Sequence, residues 1–315
     1  MSPETSPPLD SQPVESCKLS VWANRTQRIS SRVAAASPAA ARNNGGAMTD
    51  ELDRIVTHYA QVDDELNRLK QGGSRIEFAR TQELLRRFLP SAPCDVLDIG
   101  GGPGSYSAWL SELGYRAHLV DLTPLHVEQA RALAQQHGGA FTAEVGDARQ
   151  LSAGDRSFDA ALLLGPLYHL VEREDRLQAL REAKRVVRPG GLVAAAGISR
   201  LASVMDGVRL GFILDPRFRA IVERDLAEGQ HRNPDQQPGW FTTAFFHRPA
   251  DLQDELSDAG LDVVGIFGVE GPGWLRPELW DDSNNREALL SAARLVETDR
   301  DGVALSAHLL AVGRA

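Results

Sequence analysis

The chain has 315 residues, 42% of them hydrophobic and 24% charged, with a formal net charge of −9. That length can bury a substantial core, and the proportions set aside a disordered or fibrous chain. No apolar stretch reaches the ~18 residues that cross a bilayer, and no secretory h-region stands near the start, so a cytoplasmic protein with no membrane partner is expected.

Residues 1–47 are dominated by Ser, Pro, Ala, Asn and Gly without apolar periodicity, and read as a disordered tail. They hold five basic and three acidic residues, a net of +2, so the −9 of the whole chain leaves −11 for residues 48–315. An Arg- and Ser-rich leader can be a transit peptide, but no amphipathic stripe accompanies it here, and a dispensable tail, or a start assigned too early with Met48 opening the patterned chain, is the expectation. The two cysteines, Cys17 and Cys94, have neither disulfide-framework nor metal-ligand spacing. Residues 50–70 and 74–89 read as amphipathic helices, the second turning Ile76, Leu84, Leu85 and Phe88 toward a core.

The run DVLDIGGGPG at 95–104 places a short apolar strand (Val96, Leu97, Ile99) directly before glycines at 100, 102 and 104. Glycines there let the backbone turn tightly and approach a ligand with no Cβ in the way. A helix over 105–113 follows. Asp121 ends a second apolar stretch 23 positions after Asp98, about the spacing at which a carboxylate at a strand tip meets ribose hydroxyls. A dinucleotide fingerprint needs its third glycine three positions after the second, so this spacing argues against NAD. A strand over 140–145 leads to Gly146-Asp147-Ala148. The near-continuous apolar run 158–165 fits a strand buried on both faces of a parallel sheet. A helix over 172–187 carries Leu177, Leu180, Ala183 and Val187 at helical spacing, and Arg188-Pro189-Gly190-Gly191 is expected to stop it before a strand over 192–198.

The pattern Asp98-x-Gly100-x-Gly102-x-Gly104, the linked Asp121 and the segment RVVRPGG at 185–191 resemble the class I S-adenosylmethionine-dependent methyltransferases, across residues 95–198. The resemblance implies an α/β, Rossmann-like sheet of seven mostly parallel strands with an antiparallel last strand and helices on both faces. It implies S-adenosyl-L-methionine as cofactor, with Asp98, Gly100 and Gly102 around the methionine part, Asp121 on the ribose and Asp147 on the adenine side. Gly104, Leu122, Ala148 and Gly165 complete that set. It also implies that residues 48–90 form a helical cover over the cofactor-binding core at 95–198. Tyr59, Glu77 and Arg80 are candidates to face the covered pocket, a solvated helix face with ordinary ion pairs being the plainer reading for Glu77 and Arg80.

The acidity of residues 48–315 argues against a nucleic-acid acceptor, and Gly165-Pro-Leu-Tyr-His-Leu170 stands where amino-methyltransferases acting on nucleic acid carry an Asn/Asp-Pro-Pro-Tyr/Phe box. Ligands of such sheets lie beyond the carboxyl ends of the strands, which makes Tyr168 and His169 the catalytic candidates. His169 is either a general base or a wall of the cofactor pocket. Residues 199–250 read as a substrate-side insertion: a helix over 202–213, a polar turn at 231–239, then Trp240, Phe241, Phe245, Phe246 and His247. Those aromatics are local core or a substrate wall. Trp240 and His247, with Trp274 from GPGWLRP at 271–277, are the substrate candidates beside Tyr59.

Residues 251–315 complete the sheet with strands over 261–267 and 304–312 and a helix over 286–297. Asp281-Asp282 reads as a helix-start charge pair, and no metal is expected. The expected function is methyl transfer to a small-molecule metabolite or natural product, on N, O or C. The alternatives are a protein or peptide methyltransferase and a non-catalytic cofactor-binding regulator. An open crevice beyond Tyr168 favours the enzyme; a crevice filled by side chains favours the regulator.

Overall fold

The apolar runs become five parallel strands: β1 (Asp95–Ile99), β2 (Arg116–Asp121), β3 (Phe141–Val145), β4 (Phe158–Leu163) and β5 (Val187–Ser199). They lie side by side as β3-β2-β1-β4-β5, so the strand order reverses between β1 and β4, the place where such sheets bind ligands. The structure, a computed structural model, describes residues 65–315. The tail at 1–47, most of the helix expected over 50–70, and Tyr59 lie outside the described residues.

Helices cover both faces. These are α1 (Glu65–Arg68), α2 (Ser74–Phe88), α3 (Ser105–Glu112), α4 (Pro124–Gln136), α5 (Arg173–Val186), α6 (Ala202–Leu210), α7 (Pro216–Glu228), α8 (Pro249–Asp258) and α9 (Ser283–Val296). The period of two along β1 divides the core. Val96 packs with Leu84, Leu85 and Leu110 of α2 and α3, whereas Leu97 and Ile99 pack with Leu177, Leu180, Leu252 and Leu256 of α5 and α8.

Arg188-Pro189-Gly190-Gly191 does not separate α5 from a strand; β5 already begins at Val187, and the irregularity is absorbed as a register shift against β4 between Phe158 and Ala160. At the other end of the chain, β9 (His308–Arg314) runs antiparallel to both β5 and β8 (Asp262–Gly268). The last strand starts later than its apolar run suggests, because residues Val303–Leu305 form a 3₁₀ turn.

Two strands come from the segment read as an insertion. Gly229 ends α7 in the left-handed region (φ 82°) and feeds β6 (Gln230–His231), which pairs antiparallel with β7 (Ala244–His247). β7 in turn pairs parallel with Ile198 and Ser199. Ile198 has His308 of β9 as its partner on the other edge, so β7 occupies the edge of β5 that β4 leaves free after Leu163. The hairpin is built into the carboxyl end of the sheet, next to the loop that carries Tyr168.

Candidate active site

A cavity opens at the reversal of strand order, against the glycine loop. Gly100 has φ 68°, and a Cβ there would lie 2.5 Å from Pro166 Cδ, so only glycine lets the loops after β1 and β4 meet. Gly102 has φ 55°, and a Cβ there would find nothing nearer than His126 Nδ1 at 4.0 Å, because the loop faces the cavity. The Asp121 carboxylate accepts the Gly102 N–H at Oδ2 and the Thr123 N–H at Oδ1, both at 2.8 Å, with His126 Nδ1 3.3 Å from Oδ1.

Asp98 is fully buried. Its Oδ2 accepts the Ser107 hydroxyl at 2.7 Å, while Oδ1 has no hydrogen-bond partner among the described residues. Burial pushes the carboxyl up to about 6, partly offset by the Ser107 hydrogen bond and reinforced by the Asp121 charge. A buried carboxylate oxygen left unmatched on a cavity wall fits a cationic donor such as the ammonium group of the methionine moiety.

Asp98, Gly100, Gly102, Asp121, Leu122, Asp147, Ala148 and Gly165 all line this cavity, together with Tyr168 and His169. Gly104 does not. It is the left-handed N-cap of α3 (φ 98°), and a Cβ there would stand 3.0 Å from Phe141 Cζ, so its glycine serves helix-to-sheet packing rather than a ligand. The Asp147 carboxylate is clamped by Arg149, with Nη2 at 2.7 Å and the backbone N–H at 2.9 Å. Burial works against its ionisation, but the Arg149 hydrogen bonds outweigh it and hold the carboxyl below its ordinary range.

A second cavity, of about 1400 Å³ counting its open mouth, adjoins the first and shares Arg68 and Tyr168 with it. Its apolar wall is aromatic. Trp240 packs edge-on to Phe218 with ring centres 5.1 Å apart, and Phe212, Phe241, Phe246 and Trp274 continue the lining. Trp274 is fixed by an indole N–H donated to Leu305 O at 2.9 Å. Trp240 and Trp274, two of the substrate candidates, both line this cavity. Tyr168 touches both cavities, whereas His169 lines only the first, its ring 4.7 Å from Tyr168 and 6.1 Å from Phe241.

His247 lies elsewhere. The alternation along β7 turns Phe246 into the second cavity and sends Phe245 and His247 to the opposite side. There His247 is fully buried with Nε2 3.2 Å from Glu255 Oε2, and burial lowers its pKa. Arg176 completes this group. It donates to Glu255 Oε1 (2.7 Å) and to the carbonyls of Leu170 (2.8 Å) and Val171 (2.6 Å), with its guanidinium 3.6 Å over Phe245. His247 is thus part of the support beneath the Tyr168 loop and not a substrate contact.

Neither cover candidate is solvated. Glu77 lines the second cavity and pairs with Arg68 at 2.8 Å. Arg80 is fully buried away from both cavities, donating to Val269 O at 3.1 Å and pairing with Glu297 at 2.5 Å. Of the expected helix-start pair, Asp282 caps α9 through the Asn284 and Asn285 N–H groups, whereas Asp281 ends a 3₁₀ turn and pairs with Arg75 of α2. The sequence reading missed Glu270 and His308, which also line the second cavity, with His308 Nδ1 2.5 Å from Glu270 Oε1. Burial would lower the His308 pKa, but the Glu77 and Glu270 carboxylates overcome it and raise it to about 9. One nitrogen and one oxygen from each carboxylate of this trio lie within 4.8 Å of one another.

A family profile described as a methyltransferase domain matches residues 96–191. An uncharacterized methyltransferase of Mycobacterium bovis is 35% identical over 201 residues, covering 63% of this chain and 75% of that one. The methyltransferase GfsG of Streptomyces halstedii is 30% identical over 179 residues, covering 50% of this chain and 62% of that protein, less than two thirds of its length. Among solved structures, an S-adenosylmethionine-dependent methyltransferase from Mesorhizobium loti superposes with a TM-score of 0.53 at 19% identity, over 76% of this chain and 100% of that one. No helix among the described residues is long and apolar enough to cross a membrane. The loop geometry, the unmatched Asp98 oxygen, the sheet order and these likenesses agree: the chain belongs to the class I S-adenosylmethionine-dependent methyltransferases.

Proposed function

We propose that the protein transfers the methyl group of S-adenosylmethionine to a small-molecule acceptor held in the second cavity. The observation that carries this reading is the meeting of the two cavities at Tyr168. The cofactor supplies a methyl group on a sulfonium, and transfer is an in-line displacement in which alignment provides much of the rate. Asp98 receives the cofactor's ammonium, Asp121 holds the glycine loop and offers its remaining lone pairs to the ribose, and Tyr168 forms the partition across which the methyl passes. His169, on the cofactor side, acts as a wall of that pocket and aligns rather than takes a proton.

The aromatic wall suits a flat or apolar body, and the charged groups Arg68, Glu77, Glu270 and His308 orient its polar end. An open cavity beyond Tyr168 favours an enzyme over a cofactor-binding regulator with a filled crevice. The names of two further relatives, O- and C-methyltransferases of ubiquinone biosynthesis, also refer to small-molecule chemistry. The test is incubation with ¹³C-methyl-labelled cofactor and, separately, the small-molecule and protein fractions of the source cell. Label in the small-molecule fraction is expected. Label in protein alone would overturn the reading.

A further inference from the structure

Two polar atoms on side chains lining the second cavity have no hydrogen-bond partner among the described residues, His231 Nε2 and Ser203 Oγ. Both side chains are more than nine-tenths buried, His231 at 2% and Ser203 at 4% exposure, and they come from different elements, β6 and α6. Buried polar atoms in a folded interior are nearly always matched by the fold itself. Nine buried side-chain polar atoms among the described residues lack a hydrogen-bond partner, Asp225 Oδ1 included; His231 Nε2 and Ser203 Oγ are the two whose side chains line this cavity together, where a ligand could match them.

The other edge of the His231 ring is held. Nδ1 lies 2.8 Å from Oδ2 of Asp225, a carboxylate with no exposed surface. The helix end builds this pair: the Gly229 N–H closes α7 onto the Asp225 carbonyl at 2.9 Å, and the chain turns straight into β6, bringing the imidazole back over the carboxylate. Phe246 stacks on the ring at 4.8 Å with planes only 7° apart, so the imidazole cannot tip. With Nδ1 turned to the Asp225 carboxylate, a hydrogen on Nδ1 would be donated to Oδ2 and would leave the Nε2 lone pair to accept. Phe241 lies 6.1 Å from both His231 and His169, which puts the dyad one ring away from the cofactor cavity.

We propose that His231, oriented by Asp225, is the base that takes the proton from a hydroxyl group of the acceptor, and that Ser203 Oγ holds the same oxygen. This rests on the small-molecule reading given above. In the step, the hydroxyl oxygen forms the new bond to the methyl carbon, and the electron pair of the breaking C–S bond goes to sulfur, leaving a neutral thioether. The hydroxyl proton goes to His231 Nε2 and from there to solvent. A hydroxyl oxygen attacks well only as its proton leaves, whereas a free amine needs no base, so a dyad of this form selects an O–H acceptor. Asp225 is a positioning residue that fixes the tautomer and steadies the imidazolium.

The experiment uses the full chain, ¹³C-methyl-labelled S-adenosylmethionine and the small-molecule fraction of the source cell, followed by kinetics on the product so found. The labelled methyl is expected on oxygen. His231→Gln should lower kcat by about 10²–10⁴ with cofactor affinity within about twofold. Asp225→Asn, whose amide can donate to Nδ1 and drive the proton to Nε2, should lower kcat in the same way without raising KM for the cofactor. It carries the test should the His231 variant fail to fold. Nitrogen NMR of the unliganded protein should place the neutral-ring proton of His231 on Nδ1. A methyl found on nitrogen or carbon, turnover kept within about threefold in the folded variants, or a proton on Nε2 overturns the assignment while the small-molecule reading stands. Label in no small molecule removes that reading and this one with it.

Discussion

Asp121 Oδ2 accepts the N–H of Gly102 at 2.8 Å, so the carboxylate at the tip of β2 shapes the very loop that faces the cofactor cavity. Its Oδ1 accepts the Thr123 N–H and sets the start of α4. Asp121→Ala should therefore weaken S-adenosylmethionine binding by about 1.5–3 kcal/mol, the range for losing hydrogen bonds to a charged partner. Calorimetry showing unchanged affinity would contradict this role.

Asp98 should make cofactor binding depend on pH. In the free protein burial raises its carboxyl to about 6, and an ammonium placed against Oδ1 favours the ionised form, so the bound value is lower than the free one. Binding is then accompanied by proton release below pH ~6, and affinity should be full above that pH and fall by up to about tenfold per unit beneath it. Asp98→Asn should bind weakly with this slope removed. Calorimetry in buffers of different ionisation enthalpy reads the proton directly, and affinity that rises on acidification would refute the placement.

His308 contributes stability with the opposite sense. Its folded pKa of about 9 lies above the ordinary value of 6.5, so its contribution is fully present below pH ~6.5 and is lost as pH rises through 9. The partners are the Glu77 and Glu270 carboxylates, with Arg68 close by and opposing. The difference in unfolding free energy between the wild type and His308→Gln should shrink by on the order of 2–3 kcal/mol from pH 6 to 10. Urea unfolding across that range measures it, and a constant difference would count against the ion pair.

Arg176 and Glu255 form a buried pair, each about 2% exposed at the side chain, beneath the loop that carries Tyr168. Arg176→Met leaves Glu255 with His247 alone and frees the carbonyls of Leu170 and Val171, so it should cost about 3–5 kcal/mol. The double variant Arg176→Met with Glu255→Met should recover part of that loss in the same denaturation experiment, because no buried charge is then left unpaired. A double variant less stable than the single one would show that the pair acts otherwise.

What could be read from the sequence is what the local chain dictates. Asp98, Gly100, Gly102 and Asp121 sit at strand tips and a tight turn whose geometry follows from neighbouring residues, and the fold class follows from the apolar runs between them. His247 could not be placed, because its side depends on Ala244–His247 becoming a strand paired with Ile198, a contact far along the chain. Gly104 looks like its neighbours in the pattern, yet only the approach of Phe141 shows that it serves packing. Glu270 meets His308, 38 residues away, across β8 and β9, and no sequence spacing signals such a pair. Asp225 and His231 are only six residues apart, but the pair emerges once α7 is known to end at Gly229.

A crystal structure with S-adenosylhomocysteine bound tests the division of the site most directly. The amino group should lie against Asp98 Oδ1, and the sulfur should stand beside Tyr168 facing the second cavity, with Trp240 and Trp274 left clear for the acceptor. A sulfur turned away from Tyr168, or the cofactor product lodged among Trp240, Phe218 and Trp274, would contradict a methyl transfer between the two cavities.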